Sequence, residues 1–280
     1  MGEWGVAEDV WAPLAQRFAD HYESLFGQVR AYVVREHLRW HLPPPPAAVA
    51  DIGGGFGHQA IPLARDGYEV TILDPSAGML DGARQRLEGE DRETVRRVRL
   101  VQASGETAVE TLGARSFDAV LCHGVLMYLD DPAPVVSALA RLARGGGVVS
   151  IVAKSARALA MRPAVERDWE GALAAFDATR QVNGLGLETR ADTPESLSAA
   201  CADHGVTMVA WYGVRLFTEG WGRDYPPADR HDTVLAAELE ASRRDPYRQL
   251  SRLFHLVGTK TANSDLPNSS SPSGRTNRDR

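Results

Sequence analysis

The chain has 280 residues, of which 44% are hydrophobic and 24% charged, and its formal net charge is −6. This composition is ordinary for a globular protein, and the charge argues mildly against broad, non-specific binding to nucleic acid. No apolar run approaches the ~20 residues of a membrane-spanning helix, no secretory signal is visible, and Cys122 and Cys201 lack metal-ligand spacing. We therefore expect a cytoplasmic protein without a metal site.

The first segment, residues 1–46, is predicted to be helical and to end in a stiff connector. Apolar residues recur at helical spacing from Trp11 to Trp40, with an interruption near Gly27. Four consecutive prolines at 43–46 cannot continue a helix.

Strand and helix signals then alternate. The predicted strands are 48–52, 69–73, 98–103, 117–122 and 148–153, and the predicted helices between them are 58–66, 77–87 (capped by Ser76) and 132–144. Three glycines at 145–147 are expected to form the turn into the fifth strand. Such alternation indicates a parallel sheet with helices on both faces.

The pattern changes after Lys154. Residues 155–192 have a helical composition without a clear strand, which predicts an inserted lid. The later signals are a helix capped by Thr193, a strand candidate at 206–217, a helix at 232–243 and a closing strand at 252–259. The polar tail, 261–280, is expected to be disordered, which leaves 47–260 as the main domain.

A glycine cluster follows the first predicted strand and its acid, Asp51. Gly53, Gly54, Gly55 and Gly57 stand where a strand turns into a helix, and glycine permits positive φ and close approach of a ligand. The cluster fits the loose dinucleotide pattern G-x-G-x-x-G/A. It also fits the pattern G-x-G-x-G, with Asp51 two residues before the first glycine. A carboxylate at that position would repel a diphosphate but attract an ammonium group. Asp51 has a simpler alternative role, which is to cap the turn.

The second pattern resembles motif I of the class I S-adenosylmethionine-dependent methyltransferases. Residues 117–129 and 139–151 resemble the strand, helix and turn that follow in those enzymes. The resemblance implies an α/β fold with a doubly wound, seven-stranded, Rossmann-like sheet. That sheet is mostly parallel with an antiparallel last strand, and helices precede it. The alternative is a degenerate domain that binds no ligand.

Pieces outside this core resemble the bacterial tRNA 5-carboxymethoxyuridine methyltransferases, which methylate a carboxylate on the wobble uridine. The matching pieces are Tyr22 with residues 27–30, His123, residues 213–217, Leu239-Glu240, Asp245-Pro246-Tyr247 and residues 252–255. The resemblance implies S-adenosyl-L-methionine as cofactor and the tRNA anticodon loop as partner. Residues 154–192 depart from the family pattern, and Lys154 stands where a neutral polar residue is expected.

The resemblance also implies roles for individual residues in cofactor binding. Arg30 would hold the methionine carboxylate, since a guanidinium matches a planar anion. Gly53 and Gly54 would approach the methionine end, and Asp74 would bind the ribose diol, as it would in a dinucleotide site. Ser104 and Gly105 would flank the adenine, and His123 would line the sulfonium side.

Candidates for the acceptor side are less tightly defined. Arg215 is the predicted anchor for the acceptor carboxylate, with Tyr22, Tyr247 and Tyr212 as neutral donors. An ionised carboxylate needs no general base, whereas an amine or phenol would need one, and His123 is then the candidate. Arg215 has the alternative role of a sheet-edge arginine paired with an acid, and the tyrosines that of aromatics at the core edge. His255 is expected to be a buried, hydrogen-bonded histidine.

Three functional hypotheses follow. A tRNA-modifying enzyme would present a positive surface built from arginines 215, 223, 230, 243, 244 and 252, with Trp221 and Tyr225 available to stack on a base. A small-molecule O- or N-methyltransferase of secondary metabolism would have an enclosed apolar pocket roofed by residues 155–192. A non-catalytic partner would bind the cofactor only to stabilise a complex. The oligomeric state is left open.

Overall fold

A seven-stranded sheet forms the centre of the computed structural model, which describes residue 9, residues 11–220 and residues 230–262. The strands are β1 (Ala48–Ile52), β2 (Glu69–Asp74), β3 (Val98–Gln102), β4 (Phe117–His123), β5 (Ala143–Lys154), β8 (Val206–Val214) and β9 (Leu253–Lys260), while β6 (Arg180–Val182) and β7 (Glu188–Arg190) pair separately. The order across the large sheet is β3-β2-β1-β4-β5-β9-β8. The first five of these strands are parallel, and β9 runs antiparallel to both β5 and β8. The predicted fold class is confirmed.

Helices cover both faces of this sheet. They are α1 (Ala15–Glu23), α2 (Leu25–Arg39), α3 (Ala60–Arg65), α4 (Ala77–Leu87), α5 (Arg92–Arg96), α6 (Ala108–Leu112), α7 (Ala133–Leu142), α8 (Met161–Val165), α9 (Trp169–Ala175), α10 (Pro194–Ala202) and α11 (His231–Ser242). One apolar core includes Leu139 of α7 and Leu197 of α10. The other includes Val33 of α2, Leu63 of α3 and Leu235 of α11. The two cores hold β1 and β4 rigidly between them.

The order of the strands determines where a ligand can bind. β1 has β2 on one side and β4 on the other, so the direction of winding reverses between β1 and β4. In open α/β sheets, ligands bind in the crevice at the carboxyl ends of such strands. Gly53 and His123 lie at those two ends.

The N-terminal segment is helical, as predicted, and its two helices separate at Ser24 rather than near Gly27. Ser24 adopts an extended conformation, and its hydroxyl accepts a hydrogen bond from the Gly27 N–H, which caps α2. Gly27 lies inside α2, where a Cβ atom would collide with the backbone of Tyr22. The glycine therefore permits close packing of α1 on α2 rather than breaking the helix.

Two predictions about the middle of the chain are corrected. Residues 145–147 belong to β5 rather than to a turn, because a register shift between Phe117 and Ala119 takes up the extra residues. The 155–192 region contains the β6–β7 hairpin in addition to its helices, and the Lys154 Nζ donates to Thr189 Oγ1 at 2.8 Å. Strands of three residues are too short to show a hydrophobic alternation.

The two predicted helix caps are confirmed, whereas the end of β8 differs from its prediction. Thr193 caps α10 through a reciprocal pair of bonds with Ser196, and Ser76 caps α4. β8 ends at Val214, three residues before the predicted end, and Arg215 has a φ of 64°. Most of the predicted disordered tail, residues 263–280, lies outside the described residues. No helix within the described part of the chain is long and apolar enough to cross a membrane.

Candidate active site

The glycine cluster forms the predicted turn between β1 and α3. Gly53, Gly55 and Gly57 have φ angles of 70°, 50° and 72°, in the left-handed region that favours glycine. A side chain at Gly53 would also collide with Val125. The turn brings backbone to the crevice at the carboxyl end of β1.

Two carboxyl groups lie beside this turn. Burial raises the pKa of Asp51 to about 7, and the nearby Asp74 contributes in the same direction against the opposing effect of Arg30. Burial raises the pKa of Asp74 to about 6, although its oxygens accept hydrogen bonds from Gly55 N at 2.9 Å and Ser76 N at 3.0 Å. Asp74 thus fastens the glycine turn to the end of β2.

A polar cavity opens next to the turn. It is lined by Tyr22, Arg30, Asp51, Gly53, Gly54, His58, Gln59 and His123. The Arg30 Nη2 donates to the His123 carbonyl oxygen at 2.8 Å, and the guanidinium lies 5.3 Å from the centre of the Tyr22 ring. Tyr22 in turn stacks on His58 with 3.8 Å between ring centres. The N-terminal helices therefore supply one wall of the cavity.

An apolar cavity lies on the other side of Gly53. Its lining consists of Ile52, Gly53, Pro75, Gly105, Glu106, Val125, Leu129 and Val135. Gly105 packs closely against this lining, since a Cβ atom there would lie 3.1 Å from Val135 Cγ2. Ser104 does not line this cavity, and its hydroxyl lies 3.3 Å from Thr107 Oγ1.

His123 ends β4 at the wall of the polar cavity. Its Nε2 lies 2.8 Å from Ser150 Oγ, whereas its Nδ1 is buried and has no partner among the residues that the structure describes. Burial lowers the pKa of His123 well below the ordinary value, and the positive charge of Arg30 contributes. The ring is therefore neutral near pH 7 and can accept a hydrogen bond from a ligand.

The structure does not bring Arg215 and Tyr247 to either of these two cavities. Arg215 donates from Nη2 to Glu219 at 2.5 Å, and its guanidinium lies 4.8 Å from the centre of the Phe26 ring. Tyr247 is about half exposed and packs edge-on against Phe217. Tyr22 and His123 are thus the two predicted acceptor-side residues that meet the predicted cofactor residues.

Carboxylates neutralise much of the predicted positive surface. Arg215 and Arg252 both pair with Glu219, and Arg243 and Arg244 both pair with Glu240. Arg230 is exposed. Arg223, Trp221 and Tyr225 lie outside the described residues.

Sequence reasoning missed several residues of these cavities. His58 and Gln59 directly follow the glycine cluster, and Glu106 directly follows Gly105, so adjacency to a predicted site residue was the available signal. Glu106 Oε2 is buried without a partner, like His123 Nδ1. Buried polar atoms without partners are rare in proteins, and of the eight among the described residues these two belong to residues that line the cavities.

The two cavities together fit a ligand with one charged end and one aromatic end. The polar cavity offers a guanidinium, a carboxyl group and a free imidazole nitrogen, which suit an amino acid. The apolar cavity offers Ile52, Val125 and Val135 around the narrow position of Gly105, which suit a flat base. S-adenosylmethionine has this arrangement, with a methionine joined through a ribose to adenine.

Comparison with known proteins gives the same result. A sequence model described as a methyltransferase domain matches residues 50–149. The chain is 26% identical to the tRNA 5-carboxymethoxyuridine methyltransferase of Escherichia coli K12 over 90% of this chain and 96% of that one. It is 32% identical to the phosphatidylethanolamine N-methyltransferase of Cereibacter sphaeroides over 56% of this chain and 73% of that one. The crystal structure of a SAM-dependent methyltransferase from Thermotoga maritima superposes with a TM-score of 0.58 at 16% identity, covering 90% of this chain and 98% of that one.

The fold, the paired cavities and these relatives define an enzyme class: the chain belongs to the S-adenosylmethionine-dependent methyltransferases. Its cofactor is S-adenosylmethionine, so the dinucleotide interpretation of the glycine cluster is set aside, as are the degenerate domain and the non-catalytic partner.

Proposed function

We propose that this enzyme transfers a methyl group to the carboxylate of 5-carboxymethoxyuridine in tRNA. The observation that carries the proposal is the extent of the match to the E. coli enzyme, which includes 96% of that chain. The methyltransferase domain itself covers only residues 50–149. Because it spans 90% of this chain, the match extends beyond that domain into α2, whose Arg30 lines the polar cavity. An enzyme acting on tRNA would work in the cytoplasm.

Different residues of the site would bind the methionine, ribose and adenine parts of the cofactor. Arg30 would hold the carboxylate of the methionine end, and Asp51 would face its ammonium group. The Asp74 carboxylate would accept from the ribose hydroxyls, and the adenine would occupy the apolar cavity beside Gly105. When bound, the cofactor supplies a methyl group that is already activated by the positive sulfur.

The chain's own residues then have to orient the acceptor rather than activate it. A carboxylate is ionised near pH 7, so no proton has to be removed before transfer. Catalysis would rest on alignment and on exclusion of water from the polar cavity. Tyr22 and its stacking partner His58 would close the outer side of that cavity.

We keep Arg215 as the proposed anchor for the acceptor carboxylate. In the structure it belongs to a group of three charged residues, with Glu219 and Arg252. Burial lowers the pKa of Arg215, and the positive charge of Arg30 lowers it further, so the two cations lie within electrostatic reach. Its Nε is buried, and none of the described residues accepts a hydrogen bond from it. One side of the guanidinium is held by Glu219, and the unpaired Nε would be satisfied by the incoming carboxylate.

Analysis of tRNA nucleosides tests the proposal. Purified protein and labelled S-adenosylmethionine are incubated with total tRNA from a bacterial strain that lacks its own 5-carboxymethoxyuridine methyltransferase. Nucleosides are then separated and identified by mass spectrometry. We expect label in a nucleoside one methyl group heavier than 5-carboxymethoxyuridine, and much less label with the Arg30→Ala variant at the same cofactor concentration. Cofactor binding without any label in tRNA would contradict the proposal.

One observation favours a second candidate, a small-molecule methyltransferase with an O–H or N–H acceptor. His123 lines the polar cavity, and its Nδ1 has no partner among the described residues, so a neutral ring there would suit a protic acceptor better than a carboxylate. The same assay with the small-molecule fraction of a cell extract in place of tRNA tests this candidate. Label in that fraction, with none in tRNA, would establish the second function in place of the first.

A further inference from the structure

A chain of buried hydrogen bonds runs from the polar cavity across the neighbouring strands β4, β5 and β9 to the helices α2 and α11, which pack on the sheet. His123 Nε2 lies 2.8 Å from Ser150 Oγ, which lies 2.6 Å from His255 Nε2. His255 Nδ1 lies 3.1 Å from His37 Nδ1, and His37 Nε2 lies 2.8 Å from Ser242 Oγ. Ser242 Oγ donates to the Leu239 carbonyl oxygen at 2.7 Å.

The chain links elements that are distant in sequence. Its members belong to β4, β5, β9, α2 and α11. Ser150, His255 and His37 are fully buried, so water cannot replace a missing partner. The three imidazoles are neutral, since burial lowers the pKa of His37 to about 2, that of His255 to about 3 and that of His123 well below its ordinary value.

The carbonyl at the end sets the direction of every bond. A carbonyl oxygen only accepts, so Ser242 donates to Leu239 and must accept from the Nε2–H of His37. A neutral imidazole carries one N–H, which leaves His37 Nδ1 as the acceptor for the Nδ1–H of His255. His255 Nε2 then accepts from the Ser150 hydroxyl, and Ser150 accepts from the Nε2–H of His123.

We infer that Ser150, His255 and His37 are positioning residues that hold His123 in its Nε2–H tautomer, so that Nδ1 presents a lone pair to the polar cavity. Nδ1 is the ring nitrogen without a protein partner, as this assignment requires. The lone pair takes a hydrogen-bond donor: the ammonium group of the cofactor, or an O–H or N–H of the methyl acceptor. The inference holds for either proposed acceptor.

Nitrogen NMR of the unmodified protein tests the assignment directly. The full chain is labelled with ¹⁵N-histidine, and long-range ¹H–¹⁵N spectra recorded near neutral pH distinguish protonated from bare ring nitrogens. We expect the proton on Nε2 of His123, on Nδ1 of His255 and on Nε2 of His37. A proton on Nδ1 of His123, or on both of its nitrogens, would overturn the inference.

Two variants of one residue test the role of the chain. His255→Gln places an amide oxygen near the former Nε2, where it can still accept from Ser150, whereas His255→Asn places its amide near the former Nδ1 and leaves Ser150 without an acceptor. We expect His123 to keep its tautomer in the glutamine variant and to lose it in the asparagine variant. His41→Gln, which removes a histidine outside the chain, is the control and should leave His123 unchanged. Retention of the tautomer in both position-255 variants, or its loss in the control, would overturn the inference.

Binding of S-adenosylhomocysteine to the same variants identifies the donor. Affinity about tenfold weaker for His255→Asn than for His255→Gln would assign the lone pair to the cofactor's ammonium group. Equal affinities with a lost tautomer would assign it to the methyl acceptor. Should His255→Asn fail to fold, the spectrum of the unmodified protein still decides the assignment.

Discussion

At the scale of single residues, the polar cavity depends on the approach of Arg30 to the end of β4. The guanidinium donates to the His123 carbonyl, and it can do so because residue 124 is a glycine with a φ of 82°. A Cβ atom at Gly124 would lie 2.6 Å from Arg30 Nη2. A helix that precedes the sheet in sequence thereby places a cation at the carboxyl end of a central strand.

Arg30→Ala should weaken binding of S-adenosylhomocysteine by about tenfold or more, because it removes a charge-assisted contact in a buried cavity. Calorimetric titration of the purified protein measures this. Arg35→Ala is the matched control, since Arg35 lies on the same helix but pairs with Asp66 at the surface. Equal affinities of the Arg30→Ala variant and the unmodified protein would show that Arg30 does not bind the cofactor.

Asp51 should make the ligand-free protein less stable as the pH rises. Its pKa is about 7 in the folded protein and 3.8 ordinarily, so between those values the folded state binds the extra proton. The free energy of unfolding, relative to that of Asp51→Asn, should fall by up to about 1.4 kcal/mol per pH unit in this window and level off above it. Urea unfolding of both proteins checks this, and parallel pH profiles would contradict it.

The sequence predicted the residues whose role is local. The glycine cluster, Asp51 and Asp74 could be identified because a strand, a turn and an acid follow one another in the chain. The partners of His123 could not, because Ser150, His255 and His37 meet only when separate strands and a helix pack together. The sequence left two roles open for Arg215, an anchor for the acceptor or a sheet-edge arginine paired with an acid, and the structure pairs it with Glu219 beyond the end of β8.

At the scale of secondary structure, the contact between α1 and α2 decides where Tyr22 lies. Gly27 stands inside α2, at the point where the backbone of Tyr22 comes closest. Glycine usually weakens a helix interior by about 1 kcal/mol relative to alanine. Here the close contact outweighs that preference, which explains why the sequence suggested a helix break at Gly27 and the structure has none.

Gly27→Ala should therefore destabilise the protein by about 1–3 kcal/mol, despite the better helix propensity of alanine, because the new methyl group forces α1 away from α2. Gly89→Ala is the control: Gly89 is exposed, and a Cβ atom there meets nothing closer than 3.6 Å. Denaturant unfolding measures both. A Gly27→Ala variant as stable as the control would contradict the packing argument.

The inserted region, residues 155–192, contains a hairpin that the sequence does not predict. Its helical composition is realised in α8 and α9, but the β6–β7 hairpin has three-residue strands with no apolar alternation. The hairpin is held by Lys154, whose Nζ donates to Thr189 Oγ1 and to the Gln181 carbonyl. Burial lowers the pKa of Lys154 to about 7, and the charge of Arg252 contributes. Such a tertiary bond leaves no periodic pattern in the sequence.

At the scale of the whole molecule, buried neutral histidines determine the response to acid. The described histidines with lowered pKa values in the folded state are His21, His37, His41, His58, His123 and His255. The unfolded chain takes up protons at these positions near the ordinary value of 6.5, whereas the folded chain does not. These histidines outnumber Asp51 and Asp74, whose raised pKa values stabilise the folded protein as the pH falls.

The free energy of unfolding should accordingly fall as the pH drops below about 6.5, by about 1.4 kcal/mol per pH unit for each histidine that stays neutral in the folded state. Urea unfolding between about pH 7 and about pH 4.5 measures the slope. His255→Gln should have a shallower slope, by one proton. A stability that is constant or rises toward acid would contradict this account of the buried histidines.

The position of the bound cofactor decides whether the two cavities form its binding site, and a crystal structure of the full chain with S-adenosylhomocysteine measures that position. We expect the amino-acid end in the polar cavity, within hydrogen-bond distance of Arg30, and the adenine in the apolar cavity beside Gly105. A ligand bound outside these two cavities, or one bound in the reverse orientation, would contradict the account.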